Sequence, residues 1–340
     1  MGTLQNLSTR YPIGTLVVLV LIIGIAWLIV APWPPGLEQA MGRKRVFLNA
    51  ILSGITLGAL YFLVASGFTL VFGLMRNVNL AHGSLYLLGG YVGYGMVEFT
   101  GYWLLAFPLV FVFVGALGLL LQHQVFRRME GEELRQTLVT IGLSIVLADL
   151  MLWFWGGQSY QVLSPEWLTG PMTLPLISSI KANGEAVYLS YPRVRMVILI
   201  AAIVIGLAMW FVLNRSRLGM LIRAGVDDRD ILAASGVRIQ YVFLGVFAFG
   251  AGLAGMAGIV GGTFQSLSPG EDTRFLLASL VVVIVGGMGS ISGAALGAII
   301  IGLAEQIGLV YAPTYSVVFT FLIMAAVLAF RPQGLLGSRH

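Results

Sequence analysis

Apolar runs of membrane-crossing length follow one another along almost the whole chain, and nothing else in the sequence limits its fold so strongly. They lie at 13–31, 47–75, 80–97, 102–122, 135–156, 194–213, 241–264, 275–288, 291–309 and 314–330. Several approach the ~20 residues that a helix needs to cross a hydrocarbon core. They lack the alternation, over segments of roughly ten residues, that marks a transmembrane barrel. Only 10% of the 340 residues are charged while 58% are hydrophobic, whereas a soluble surface draws on about a quarter charged residues. The sequence therefore predicts an all-α integral membrane protein, a polytopic bundle of about 8–10 transmembrane helices. Run 47–75 is too long for one simple span and 275–288 is too short, so both are read as places where a helix breaks or re-enters.

The net charge of +5 does not point to nucleic acid, because the basic residues flank apolar runs and form no aromatic-interleaved patch. Arg215, Arg217, Arg223, Arg229 and Arg238 place segment 215–240 in the cytoplasm by the positive-inside rule. Segment 123–134, with Arg127 and Arg128, and the C-terminus, with Arg331 and Arg339, fit the same side. Segment 157–193, proline-rich and poor in basic residues, then falls outside. The cluster Gly42-Arg43-Lys44-Arg45 also falls outside if every run crosses, and returns to the cytoplasm if 47–75 doubles back. The chain has no cysteine, which excludes disulfides and thiolate metal sites. The first run reads as a retained helix rather than a cleaved signal.

The stretch Asn77–Gly90, NVNLAHGSLYLLGG, puts polar side chains among glycines inside an apolar chain. Polar groups in lipid need partners. Asn79, His82, Gly83 and Ser84 thus suggest an interrupted helix whose freed backbone is satisfied by side chains; ordinary packing and hydrogen bonding is the plainer reading of His82 alone. Gly286-Gly287-Met288-Gly289-Ser290 reads as a second interruption. Asp149 and Glu305 lie within apolar runs, and each should face the bundle interior, a cavity or the interface. Glycines four apart, at Gly54/Gly58, Gly89/Gly93, Gly258/Gly262 and Gly289/Gly293/Gly297, favour close helix approach, whether for packing alone or along a movable pathway.

Within 215–240, Asp227 can cap a short helix, DRDILAASG, that Gly236 ends in a left-handed conformation. Such a helix is too short to persist alone in water. Ala233 and Ala234 leave it a small face for its own membrane domain or for a cytoplasmic partner. The chain contains no G-x-x-x-x-G-K-[ST], H-E-x-x-H or G-x-S-x-G motif, so any driving energy comes from elsewhere.

Three ordered stretches resemble the permeases of branched-chain amino acid ABC transporters. The first is NAILSGITLGALYFLVASGFTLVFGLMRNVNLAHGSLYLLGGYVGY, Asn49–Tyr94. The second is GMLIRAGVDDRDILAASG, Gly219–Gly236, and the third VGGMGSISGAALGAIIIGLAE, Val285–Glu305. The resemblance covers roughly 47–330 and sets residues 1–45, with their extra apolar run, apart from a permease domain at 46–335. It implies one permease subunit of an ATP-driven importer, not itself an enzyme and holding no cofactor or metal. Its partners would be a second permease subunit, identical or different, two ATPase subunits carrying ATP and Mg, and an extracytoplasmic solute-binding protein. The setting would be lipid, in a bacterial-type inner membrane. The solute would be a branched-chain amino acid or a related small amide, urea or carboxylate. Arg223, Ala224, Asp227, Asp228, Ala233, Ala234 and Gly236 would couple to the ATPase. Candidates for the solute path are Asn79, His82, Gly83, Ser84, Gly289, Ser290, Gly293 and Glu305. An ion-coupled secondary transporter is the alternative, and it would require more coupled intramembrane charge than this chain carries.

Overall fold

A computed structural model describes residues 27–28, 33, 36, 38, 43–75, 78–129, 131–180, 185–227, 232 and 234–337. The expected first run, 13–31, lies almost wholly outside the described residues. The helices are α1 (Lys44–Met75), α2 (His82–Thr100), α3 (Trp103–Gln124), α4 (Glu133–Trp155), α5 (Arg193–Arg215) and α6 (Arg217–Asp227). They continue with α7 (Ile239–Phe264), α8 (Glu271–Gly286), α9 (Ile291–Tyr311) and α10 (Ser316–Phe330). Among the described residues, 7 helical segments are long and apolar enough to span a bilayer. The chain is a multi-pass membrane protein, as the apolar runs predict.

Of the two length-based expectations of a break, the first fails and the second holds. Run 47–75 is one unbroken helix of 32 residues, with Lys44 and Arg45 in its first turn and Met75 at its end. Length alone does not break a helix, and α1 contains no proline to remove a backbone donor. Run 275–288, by contrast, is a helix of only 16 residues that stops at Gly286. Gly287 follows with φ 112°, a backbone open to glycine and strained for any other residue. The chain turns and restarts as α9, where the Ser290 hydroxyl accepts the Gly293 amide at 3.1 Å, a standard use of serine at a helix start. The carbonyls left over at the end of α8 are taken by the segment after α10: Leu335 and Leu336 donate their amides to Val285 and Gly286, each at 2.9 Å.

The described residues fall into two compact units. One includes the described residues up to Leu52 and a hairpin between α4 and α5 that sequence reading left as an outer loop. Its strands, β1 (Pro171–Ile180) and β2 (Ala186–Pro192), pair with each other, and the Ser178 hydroxyl donates to the Val187 carbonyl at 2.8 Å. The other unit, Ser53–Gly170 with the chain from Pro192 onward, holds the core.

That core is built on α1 and α7. The apolar window of α1 is 89% buried and that of α7 is 67% buried, against 11% for α4 and for the α10 segment. Helices that present apolar side chains all round without protein cover are those the lipid would cover. Helix α7 packs along α2 and α3, and the crossing with α2 depends on small residues. A Cβ on Gly89 would collide with Gly255, and one on Gly258 would strike the Tyr86 carbonyl and the Gly90 amide. The four-residue glycine spacings therefore serve close packing. Substituting Gly258 by Val should destabilise the fold by about 1–3 kcal/mol or more, measured as a lower thermal unfolding midpoint in detergent. Gly245→Ala on the same helix, where nothing lies within 4 Å of the new carbon, should leave that midpoint in place.

Candidate translocation site

The interruption at 78–81 is satisfied group by group. The Asn79 side-chain oxygen accepts the Ala81 amide at 3.1 Å, and its backbone carbonyl accepts the His82 amide at 3.2 Å. The Leu80 amide donates to the Thr140 hydroxyl on α4 at 3.2 Å. His82, 1% exposed, opens α2 and reaches across to α1. Its Nε2 lies 3.0 Å from the Val64 carbonyl, which it contacts as donor when Nε2 carries the proton. The ring also meets Phe68 edge-on, with centroids 5.5 Å apart. Gly83 lets α8 approach, since a Cβ there would overlap the Asp272 carbonyl. Ser84 stands 3.4 Å from both the Asp272 carboxylate and the Ser144 carbonyl. The four polar-stretch candidates are thus brought together and buried, and they join α1, α2, α4 and α8.

Gly289, Ser290 and Gly293 are held elsewhere, at the turn between α8 and α9. Gly289 faces Gly73 near the end of α1, and Gly293 faces the Gly286 carbonyl. Their observed work is to make and pack that turn. Asp149 is exposed on α4, about 9 Å along the helix from its end at Trp155, so it is not held in the interior of this chain's bundle.

Glu305 belongs to a third constellation, most of which sequence reading missed. Its carboxylate accepts the Tyr61 hydroxyl at 2.6 Å and pairs with Arg274 at 3.2 Å. Arg274 also pairs with Glu271 at 3.4 Å, and Gln265 donates to Glu271 at 3.2 Å. The Arg274 guanidinium sits 5.8 Å from the centroid of Phe275. Phe275 stacks on Tyr86 at 4.2 Å and meets Tyr61 edge-on at 5.7 Å. The first turn of α8 thus connects two polar clusters, Asp272 toward Ser84 and Arg274 toward Glu305.

Gly73 lies against Gly289, so α1 and α9 share that end of the bundle. Tyr61 and Glu305 each stand about 20 Å from it along their helices. The chain leading to α8 is tied to the bundle. Leu267 is 1% exposed and packs against Gly90, and its amide and carbonyl pair with Tyr160 at 2.7 and 2.9 Å. Leu267 thus anchors this segment, while Ser266, Pro269 and Gly270 around it are exposed.

At the other end, α6 lies against the core. Ile222 packs on a cluster that includes Leu70, Leu74, Met75, Phe126 and Phe247, and Gly225 faces Leu74. The exposed Arg223 donates to the Leu213 carbonyl. Asp227 is the last residue of α6 rather than an isolated cap. Asp228 and Ala233 lie outside the described residues, as does most of the expected helix after Asp227. Gly236, at φ 85°, takes the left-handed conformation expected of it, and Ala234 is exposed.

Over residues 50–328 the chain matches the family described as branched-chain amino acid transport system / permease component. It is 28% identical to the high-affinity branched-chain amino acid transport system permease protein BraD of Pseudomonas aeruginosa, over 86% of this chain and 96% of the relative. Identity to the corresponding LivH permease of Escherichia coli strain K12 is also 28%, with the same coverage. The LivM permease of that strain is 27% identical over 89% of this chain and 77% of the relative. No solved structure matches. A direct test of the His82 clamp compares two substitutions. His82→Ala removes a fully buried ring that bridges α2 to α1 and leaves a cavity in its place, and should cost about 2 kcal/mol or more, read as a lower unfolding midpoint. His82→Gln keeps a donor and should cost less; equal, wild-type-like midpoints would contradict the clamp.

Proposed function

The chain belongs to the branched-chain amino acid transport system / permease component family, and on that premise we propose that it carries branched-chain amino acids across a bacterial-type inner membrane as one permease subunit of an ATP-driven importer. The observation that carries the reading is the family match along nearly the whole described bundle, shared with relatives named as branched-chain amino acid permeases. A second permease subunit would complete the pathway. Two ATPase subunits, holding ATP and Mg, would dock on the end bearing α6, and an extracytoplasmic binding protein would deliver the solute to the opposite end.

The seat of α6 suggests how the drive would be transmitted. Arg223, Ala224, Asp227, Asp228, Ala233, Ala234 and Gly236 would form the lever that the ATPase pushes. Ile222 and Gly225 rest on the last turn of α1, and α1 holds both the Val64 carbonyl that His82 grips and the Tyr61 hydroxyl that Glu305 accepts. Motion at α6 would therefore be felt at both polar clusters through a single rigid helix. Asn79, His82, Gly83 and Ser84 would act as the pivot of α2, and Gly289, Ser290 and Gly293 as the pivot between α8 and α9. Glu305 would face the passing solute.

The docking prediction is specific. Replacing Arg223 and Asp228 together by Ala should separate ATP hydrolysis from uptake or weaken ATPase retention about tenfold, an effect of ordinary size for lost charged contacts at an interface. Co-purification of the ATPase and the ratio of solute moved to ATP hydrolysed are the readouts. Unchanged assembly together with an unchanged ratio would show that the lever lies elsewhere.

A further inference from the structure

The Arg274 side chain is 43% exposed, while its partners Glu305 and Glu271 are 17% and 19% exposed. An arginine facing acyl chains would be costly, and charges within a membrane bundle almost always face its interior or a water-filled cavity. The open side of α8, with Thr273, Arg274 and Leu277 exposed, therefore borders water or the completed pathway rather than acyl chains.

The cluster is also matched to a particular solute chemistry. One guanidinium stands between two carboxylates, and a guanidinium fork is well suited to a carboxylate. A simple anion that took Arg274 from Glu305 would leave the glutamate without its cation. A simple cation would find Glu305 already paired. A zwitterion solves both problems: its carboxylate takes the place of Glu305 on Arg274, and its ammonium goes to the released Glu305, which Tyr61 keeps in position through the 2.6 Å hydrogen bond. Leu277, exposed one turn beyond Arg274 on the same helix, offers apolar surface where a side chain attached to that zwitterion would lie. We infer that Arg274 and Glu305 form an ion-pair exchange site on the translocation pathway that accepts the α-carboxylate and α-ammonium of an apolar amino acid. This deepens the permease reading and rests on it.

The absence of cysteine makes the test clean. The complete transporter, bearing Arg274→Cys in this chain, is reconstituted and its uptake of radiolabelled leucine measured, with the wild-type complex treated in parallel. Uptake should fall about tenfold or more, the scale of one lost charge-assisted contact. Modification by a methanethiosulfonate carrying an ethylammonium group should restore most of it, and a neutral ethyl reagent should not. In Leu277→Cys, where Arg274 is intact and the new thiol lies one turn away on the same face, leucine should slow modification, whereas 3-methylbutylamine, which lacks the carboxylate, should not. An introduced thiol that resists both reagents, wild-type uptake by the variant, or equal rescue by the two reagents overturns the inference while leaving the permease reading intact. A wild-type complex that takes up no leucine overturns the permease reading and this inference with it. Should Arg274→Cys not assemble, Leu277→Cys on the same face must be modified from water and protected by leucine; failure of either contradicts the site.

Discussion

A backbone in lipid has no water to fall back on, and the structure is arranged around that requirement. Helices satisfy it internally; each interruption must be satisfied by other groups. At 78–81 an asparagine carboxamide and a threonine hydroxyl share the work, and the His82 ring ties the start of α2 to α1. At 287–290 the amides of Leu335 and Leu336 and the Ser290 hydroxyl do so. Ahead of α8, an antiparallel bridge between Tyr160 and Leu267 takes over. These interruptions flank α1, the long unbroken helix at the centre, so the bundle combines a rigid strut with segments whose ends are held by side chains.

This division suits a gate. Side-chain hydrogen bonds of the kind found at the interruptions contribute about 0.5–1.5 kcal/mol each, while the glycine-lined crossings of α2 with α7 are tightly interlocked. Rearrangement is therefore cheapest at the interruptions, and α1 links both polar clusters to the surface helix α6. The mixed-charge cluster around Arg274 lies where α1, α8 and α9 meet, which is where movement of the strut would be felt most directly.

Much of this was legible in the sequence. The apolar runs located the spanning helices closely, because the hydrocarbon thickness fixes how long an apolar segment must be. The polar stretch at 77–90 announced an interruption because unpaired polar groups have no other reason to sit in such a segment. The same logic, applied to length alone, misread 47–75: an overlong run breaks only where something removes or replaces backbone hydrogen bonds, and α1 holds nothing of the sort. Glu305 was singled out, but Arg274 and Glu271 escaped because EDTR precedes the apolar run and so looks like loop. Only the fold assembles the cluster, by burying Leu267 against α2 and bringing Tyr61, distant in sequence, to Glu305. The pairing of β1 with β2 was equally hidden, since its strands lie in a segment marked mainly by prolines.

The central claim is that this chain is a passive gate which moves an apolar amino acid only when partner ATPases drive it. Radiolabelled leucine uptake into proteoliposomes tests that most directly, comparing the assembled complex with ATP against the purified chain alone under proton or sodium gradients. The account predicts ATP-dependent accumulation by the complex and none by the chain alone. Gradient-driven accumulation by the chain alone, without ATP, would contradict it.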